Sequence, residues 1–351
     1  MMPTNPGELT RAEIFQQPEL WPDTVRRVRA AGVKLPRAPV ITGAGTSFFA
    51  ALAVEAGWPG ARAVPSTDLL LDYRGLVPED GAVLSLARSG DSPESTAVVE
   101  RIQRALPGVR HLAITCNAAG RLASWPSVET IVLDARTNDR SLVMTSSYSN
   151  LVLAGLALAR PEEVEAALPT MCVGWDALLP KLDETARAVA ADSPTLLVTL
   201  ASRPLLGAAR EAWLKVLEMT AGRVPTLAET YLGVRHGPMC YVKADTPVVC
   251  FVSSDSARRR YEMDLVRELR AKKLGRLVAV GDPETDSHLF EVVVTTPAAG
   301  LPDWLRTPAE IVFAQLLGYH LSLRLGLDPD NPSPGRIITR VVEGVRIYPE
   351  E

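Results

Sequence analysis

Two stretches of the chain carry the same alternation of short apolar runs with longer runs whose apolar positions recur every three or four residues. The first places its apolar runs at Val40-Ile41-Thr42, Ala82 to Leu86, His111 to Thr115 and Thr130 to Leu133. The second places them at Thr195 to Leu200, Pro247 to Val252, Leu277 to Val280 and Val292 to Thr295. Strand-like runs alternating with helix-like runs predict a parallel sheet covered by helices on both faces. Ahead of both stretches, Thr10 to Ala31 reads as one helix, with Thr10 as N-cap and Glu13 completing a capping box. Pro36-Arg37-Ala38-Pro39 ends it. An Ala- and Leu-rich helix, Asn150 to Ala159, leads to a join placed at Ala190 to Pro194.

The two stretches read as copies of one plan. Ile41-Thr42-Gly43-Ala44-Gly45-Thr46-Ser47 parallels Val198-Thr199-Leu200-Ala201-Ser202-Arg203. Ser85-Leu86-Ala87-Arg88-Ser89-Gly90-Asp91-Ser92 parallels Cys250-Phe251-Val252-Ser253-Ser254-Asp255-Ser256. The third strands end at Thr115-Cys116-Asn117 and Gly281-Asp282-Pro283. Matched points lie about 155 to 170 residues apart, too long for a solenoid repeat and suited to a duplicated domain. The expected organisation is an N-terminal helical segment (1–35), a first α/β domain (36–189), and a second α/β domain with a C-terminal tail (190–351).

Composition narrows the function. The chain has 351 residues, 37 Lys+Arg against 41 Asp+Glu, and 5 % aromatics. That balance argues against a nucleic-acid binder working by bulk charge or base stacking. No run of the roughly 18 apolar residues that a membrane span needs occurs. The first eleven residues lack the apolar core of a secretory leader, so the cytosol is the expected compartment. Cys116, Cys172, Cys240 and Cys250 form no CxxC pair and are expected to be buried, reduced thiols. The four histidines are scattered and no HExxH pattern appears, so no catalytic metal is expected.

The chemistry concentrates in four segments. Ala82 to Thr96 runs from an apolar strand through Arg88-Ser89-Gly90-Asp91-Ser92 into a helix with Pro93 at its first position. Free N–H groups, the helix dipole, two serine hydroxyls and the Arg88 charge would together cradle a phosphate. It is not a P-loop, since GxxxxGK[ST] is absent. A second loop, Gly43-Ala44-Gly45-Thr46-Ser47, also joins a strand to a helix, without the third glycine of a dinucleotide site. Both loops end neighbouring strands and would face one crevice. The third segment, Ala212 to Pro238, sets Lys215 and Glu218 on one face of an apolar helix. They form either a surface ion pair or a semi-buried carboxylate able to move protons. His236 follows in an irregular polar turn. In the fourth, Thr145, Ser146, Ser147 and Ser149 precede an apolar helix, where they either cap it or wall a sugar site.

Taken together, ARSGDSPES, NDRSLVMTSSYSN, YLGVRHGP and the tail NPSPGRIITRVVEGVRIYP resemble the sugar isomerase (SIS) domain family. The arrangement is similar to the tandem SIS half of glucosamine-6-phosphate synthase. It is more similar still to the tagatose-6-phosphate ketose/aldose isomerase subfamily, also read as galactosamine-6-phosphate deaminase/isomerase. The resemblance implies two flavodoxin-like three-layer domains, each a parallel sheet flanked by helices.

It also implies roles. Ser47, Ser89 and Ser92 match phosphate-binding hydroxyls, with Gly45 and Thr46 beside the sugar. Arg88 replaces a glutamine of the synthase and would add charge. Glu218 matches the carboxylate that moves a proton between C1 and C2, and Lys215 a lysine near the substrate. His236 matches a histidine that assists ring opening, lent by a neighbouring subunit, which implies at least a homodimer. Arg340 stands where the synthase has a lysine. Thr145 and Ser146 would add substrate hydroxyl contacts.

The implied reaction converts galactosamine-6-phosphate to tagatose-6-phosphate and ammonia, without cofactor, membrane or nucleic acid. Alternatives are a deaminase or deglycase for another 6-phosphorylated amino sugar, and a non-catalytic phosphosugar sensor. The glutaminase domain of the synthase is absent, and no helix-turn-helix segment is evident.

Overall fold

The computed structural model describes residues 5–35, 38–333 and 335–349. Two helices open the chain, α1 (Glu8–Phe15) and α2 (Gln17–Ala31). The single helix expected over Thr10 to Ala31 is broken at Gln16. Pro18 stands in the first turn of α2, where its missing N–H costs nothing, but it could not continue α1. Thr10 is not an N-cap either. Its N–H and hydroxyl both donate to Asp330 Oδ1 at 2.7 Å, tying α1 to the far end of the chain. Pro36 and Arg37, half of the expected break, lie outside the described residues.

The first sheet unit runs β1 (Val40–Gly43), α3 (Thr46–Gly57), β2 (Arg62–Pro65), α4 (Ser66–Leu76), β3 (Ala82–Ala87), α5 (Pro93–Ala105), β4 (Arg110–Thr115), β5 (Glu129–Val132) and α6 (Ser146–Ala159). Helices α7 (Pro161–Cys172) and α8 (Trp175–Ala191) connect it to the second. That one runs β6 (Leu197–Ala201), α9 (Leu206–Met219), β7 (Thr226–Thr230), β8 (Pro247–Phe251), α10 (Ser256–Ala271), β9 (Arg276–Val280), β10 (Val292–Val294) and α11 (Asp303–Arg324).

Each unit holds a five-stranded, all-parallel sheet, in the orders β2-β1-β3-β4-β5 and β7-β6-β8-β9-β10. Renumbered within each unit, both read 2-1-3-4-5, the flavodoxin-like doubly wound order. The duplication read along the chain is therefore a duplication of topology.

Two strands, β2 and β7, escape the pattern reading. Each is the second strand of its unit and lies at a sheet edge, half-exposed. An edge strand has one covered side and does not need the fully buried, largely apolar run that marks β3 or β8.

The two units share one apolar core. Helix α11 packs on α6, α8 and α9, and α3 packs on α6 and α9. Gly207 on α9 lets that contact close, because a Cβ there would fall 2.9 Å from Phe49 O of α3. Cys116 and Cys250 are buried and free, as the sequence suggests, but Cys172 is half-buried and Cys240 exposed. Among the described residues, no helix is long and apolar enough to cross a membrane.

Candidate active site

The carboxyl ends of β1 and β3 open on one cleft of about 620 Å³. In a parallel sheet of this order, the strand order reverses beside β1, and a crevice forms there. Gly45, Thr46, Ser47, Arg88, Ser89 and Ser92 all line it, so the two hydroxyl loops do face each other. Gly90 takes φ +72°, a left-handed turn costly for other residues. Ser92 is the N-cap of α5 and Pro93 its first residue, but the Ser92 hydroxyl makes no bond to the helix. It is uncommitted, as a ligand-binding hydroxyl must be. Ser89 Oγ accepts from Asp91 N at 3.2 Å, which leaves its own proton to donate into the cleft. Asn117 Nδ2 steadies the loop from behind, donating to Ser89 O at 2.9 Å.

Glu218 lines the same cleft, although it is remote from both loops in sequence. Helix α9 carries it in from the second unit. One turn back, the fully buried Lys215 donates to Glu218 Oε2 at 2.5 Å, and its Nζ lies 3.4 Å from Glu211 Oε1. Thr46 of the first unit donates to the same Glu211 oxygen at 3.3 Å. A polar chain, Thr46–Glu211–Lys215–Glu218, thus runs from buried protein to the cleft. One cation stands between two carboxylates. Burial pushes the Glu211 carboxyl up to about 8, only partly opposed by Lys215, so Glu211 carries a proton at neutral pH. Burial disfavours the Lys215 charge, but Glu211 and Glu218 outweigh it and hold the ammonium on. Lys215 and Glu218 therefore form the ion pair, with Glu211 as its neutral neighbour.

Arg88 and Arg340 also line the cleft, with their guanidinium groups engaged elsewhere. Arg88 Nη1 donates to Leu142 O at 3.0 Å, and Nη2 to Arg340 O at 2.5 Å. Arg340 donates through Nε to Asp139 O at 2.8 Å and through Nη2 to Asn138 Oδ1 at 2.5 Å. Both arginines strap residues 336–343 of the tail across the cleft as its outer wall.

The remaining sequence-derived candidates lie outside the cleft. Thr145 and Ser146 are fully buried, and their hydroxyls are consumed by a structural carboxylate. Asp139, itself 1 % exposed, accepts from the N–H and hydroxyl of Thr145, Ser146 and Ser147 in turn. Of the two readings of this segment, helix cap or sugar wall, the structure shows the cap at the start of α6, and the substrate contacts expected of Thr145 and Ser146 are corrected accordingly. Met144 and Leu142 line the cleft there instead. His236 ends a 3-10 turn after β7, is exposed, and does not line this chain's cleft.

Three functional features were not anticipated. Glu211 had a visible sign, an acid four residues before Lys215 on an apolar helix. Asp139 stands only six to eight residues before the groups it caps, an acid ahead of a Ser/Thr run. The closing of the tail wall had no local sign, since Arg340 meets Asn138 and Asp139 across 202 and 201 residues. Glu13, expected to cap α1, instead accepts from the backbone N–H of Arg140 and Ser141 and braces the same loop. Burial and nearby Asp139 push its carboxyl up to about 7.

No family model matches the chain. Individual proteins do. A Streptomyces coelicolor protein, named provisionally as a D-galactosamine-6-phosphate deaminase AgaS, is 38 % identical over 99 % of each chain. The D-galactosamine-6-phosphate deaminase AgaS of Escherichia coli O157:H7 is 34 % identical over 98 % of this chain and 96 % of its own. Among solved structures, the tagatose-6-phosphate ketose/aldose isomerase of Escherichia coli superposes with TM-score 0.84 at 31 % identity, covering 99 % of each chain.

Proposed function

The chain belongs to the D-galactosamine-6-phosphate deaminase family of tandem SIS-domain phosphosugar isomerases and deaminases, and from that premise we propose that it converts galactosamine-6-phosphate to tagatose-6-phosphate and ammonia. The observation that supports this reading is the meeting of the two hydroxyl loops of one unit with Glu218 of the other in a single cleft.

The phosphate is held by Ser47, Ser89 and Ser92 together with N–H groups at the start of α5, where the helix dipole favours a dianion. This grip fixes the reacting carbons without taking part in bond changes. Ring opening moves a proton from the anomeric hydroxyl to the ring oxygen and yields a C1 aldehyde with an amine on C2. His236, lent from a neighbouring subunit, serves that step. Glu218 then removes the proton from C2, and the electrons pass into an enolamine spanning C1 and C2. Lys215, buried behind Glu218 and outside the cleft lining, holds that carboxylate in position. The same carboxyl returns the proton to C1 and leaves a ketimine at C2. Water adds to that carbon, the C–N bond breaks, and ammonia leaves with a ketose phosphate behind. The substrate supplies the electron pairs and water supplies the oxygen.

The name of the relatives favours galactosamine over other amino sugars. The 4-hydroxyl orientation would be read by the groups around Met144 and the tail wall. The test is ammonia release from galactosamine-6-phosphate and glucosamine-6-phosphate, run beside Glu218→Gln. The expected result is turnover of the galacto sugar, lost by about 10²–10⁴-fold in the variant. Full activity in Glu218→Gln would remove the proton-transfer assignment, and release from neither sugar would remove the substrate.

A further inference from the structure

The second unit repeats the hydroxyl loop of the first, but there the loop is filled by a side chain of the protein itself. In the first unit, β3 runs into Ser89-Gly90-Asp91-Ser92 and α5. In the second, β8 runs through Val252 into Ser253-Ser254-Asp255-Ser256 and α10. The internal bond is the same in both. Asp91 N donates to Ser89 Oγ at 3.2 Å, and Asp255 N donates to Ser253 Oγ at 3.1 Å.

What differs is the occupant. The helix that follows the last strand is α6 in the first unit, starting at Ser146, and α11 in the second, starting at Asp303. The Asp303 side chain, in a residue only 5 % exposed, reaches into the second loop. Its Oδ1 accepts from Ser254 N at 2.7 Å, Ser254 Oγ at 2.9 Å and Arg306 Nη1 at 3.1 Å. Its Oδ2 accepts from Ser253 Oγ at 2.5 Å and Arg258 Nη1 at 2.9 Å. Five donors from five groups, two of them guanidinium, surround one carboxylate. That is the coordination of a bound oxyanion. Arg306 is fully buried and gains nothing from solvent, so its charge is set there for this carboxylate and for Glu310. Glu262, which also accepts from Ser253 N at 2.8 Å, completes the ring of groups facing Arg306.

We infer that the second unit retains a duplicate oxyanion cradle, occupied by the protein's own Asp303 carboxylate in place of a phosphate. Each chain then binds one phosphosugar, although it is built with two cradles. Emptying the second cradle makes it a site for a tetrahedral dianion of sulfate or phosphate class. The inference stands on the second unit alone and survives if the proposed reaction is wrong.

The experiment compares the full chain with Asp303→Ala and Asp303→Asn at pH 6, using inorganic sulfate as the probe against chloride at equal ionic strength. Alanine vacates the cradle. Asparagine fills it with a neutral group. Asp303→Ala is expected to melt lower than wild type in chloride, to regain most of the loss in saturating sulfate, and to bind one more sulfate per chain by equilibrium dialysis. Asp303→Asn is expected to melt lower as well, with no sulfate rescue and no added sulfate. An alanine variant that binds no additional sulfate overturns the inference. So does one that is insoluble in sulfate and chloride alike, because an emptied oxyanion cradle is refolded by the anion that fills it.

Discussion

Lys215 Nζ sits 2.5 Å from Glu218 Oε2, yet the lysine is fully buried and the Glu218 side chain is a quarter exposed to the cleft. The pair bridges core and solvent. Its buried member positions the carboxylate that faces substrate. A surface ion pair of the same spacing would be worth little. This one is anchored on one side by Glu211 and cannot rotate away.

Removing the cation exposes that dependence. Lys215→Met leaves the partly buried Glu218 carboxylate without its cation, which costs at most about 3–5 kcal/mol, the figure for breaking one side of a fully buried pair. We expect a lower melting temperature and loss of turnover. Adding Glu211→Gln to Lys215→Met should change neither near neutral pH, since Glu211 is already uncharged there. Recovery of activity would separate Lys215 from the chemistry.

Glu211 also sets a pH signature. Its carboxyl is raised to about 8 in the folded protein from about 4.5 when exposed, so the folded state binds the additional proton between those values. Stability is then greatest below the lower value and falls as pH rises through the window. Glu211→Gln should be tolerated near neutrality. Its unfolding free energy should fall with pH less steeply than that of wild type, by up to about 1.4 kcal/mol per unit between pH 5.5 and 7.5. Parallel denaturant midpoints for the two proteins across that range would contradict a protonated Glu211.

The uncommitted hydroxyls predict a binding defect. Ser89→Ala with Ser92→Ala removes two donors to a dianion, each worth about 1.5–3 kcal/mol. KM should rise at least tenfold with a smaller change in kcat. An unchanged KM would place the phosphate elsewhere.

The proposed lending of His236 by a neighbouring subunit predicts complementation between subunits. It is exposed and absent from its own chain's cleft. Inactive Glu218→Gln and inactive His236→Ala chains, coexpressed, should regain about a quarter of wild-type activity through one intact site per mixed dimer. Mixed oligomers that stay inactive would assign both residues to the same chain.

The tail should behave as a wall held by two arginines. Arg340→Ala frees the Asp139 and Asn138 contacts and loosens residues 336–343. Faster proteolysis in that stretch, with a raised KM, is the expected outcome. Arg88→Lys should act similarly, since an ammonium cannot span the Leu142 and Arg340 carbonyls together.

Much of this protein was written locally. Strands buried on both sides, such as Ala82–Ala87 and Pro247–Phe251, are apolar save for Ser85, which is hydrogen-bonded to His111, and that character is visible in any window that contains them. The turn at Ser89 to Pro93 is likewise local, because a cap, a left-handed glycine and a first-position proline are neighbours in sequence. The spacing of Lys215 and Glu218 on one helical turn needed nothing more than 3.6 residues per turn. What tertiary structure decided was the fate of polar groups with several admissible partners. The hydroxyls of Thr145 and Ser146 suited a sugar or a cap equally well, and the loop braced from afar by Glu13 and Arg340 turned them to Asp139. Glu13 could have closed its own helix but found two N–H groups 127 and 128 residues away. The edge strands β2 and β7 needed only one covered side, which no apolar run announces. A hydrogen bond is selected by which donor and acceptor meet in space, and that meeting is a property of the folded chain rather than of any segment within it.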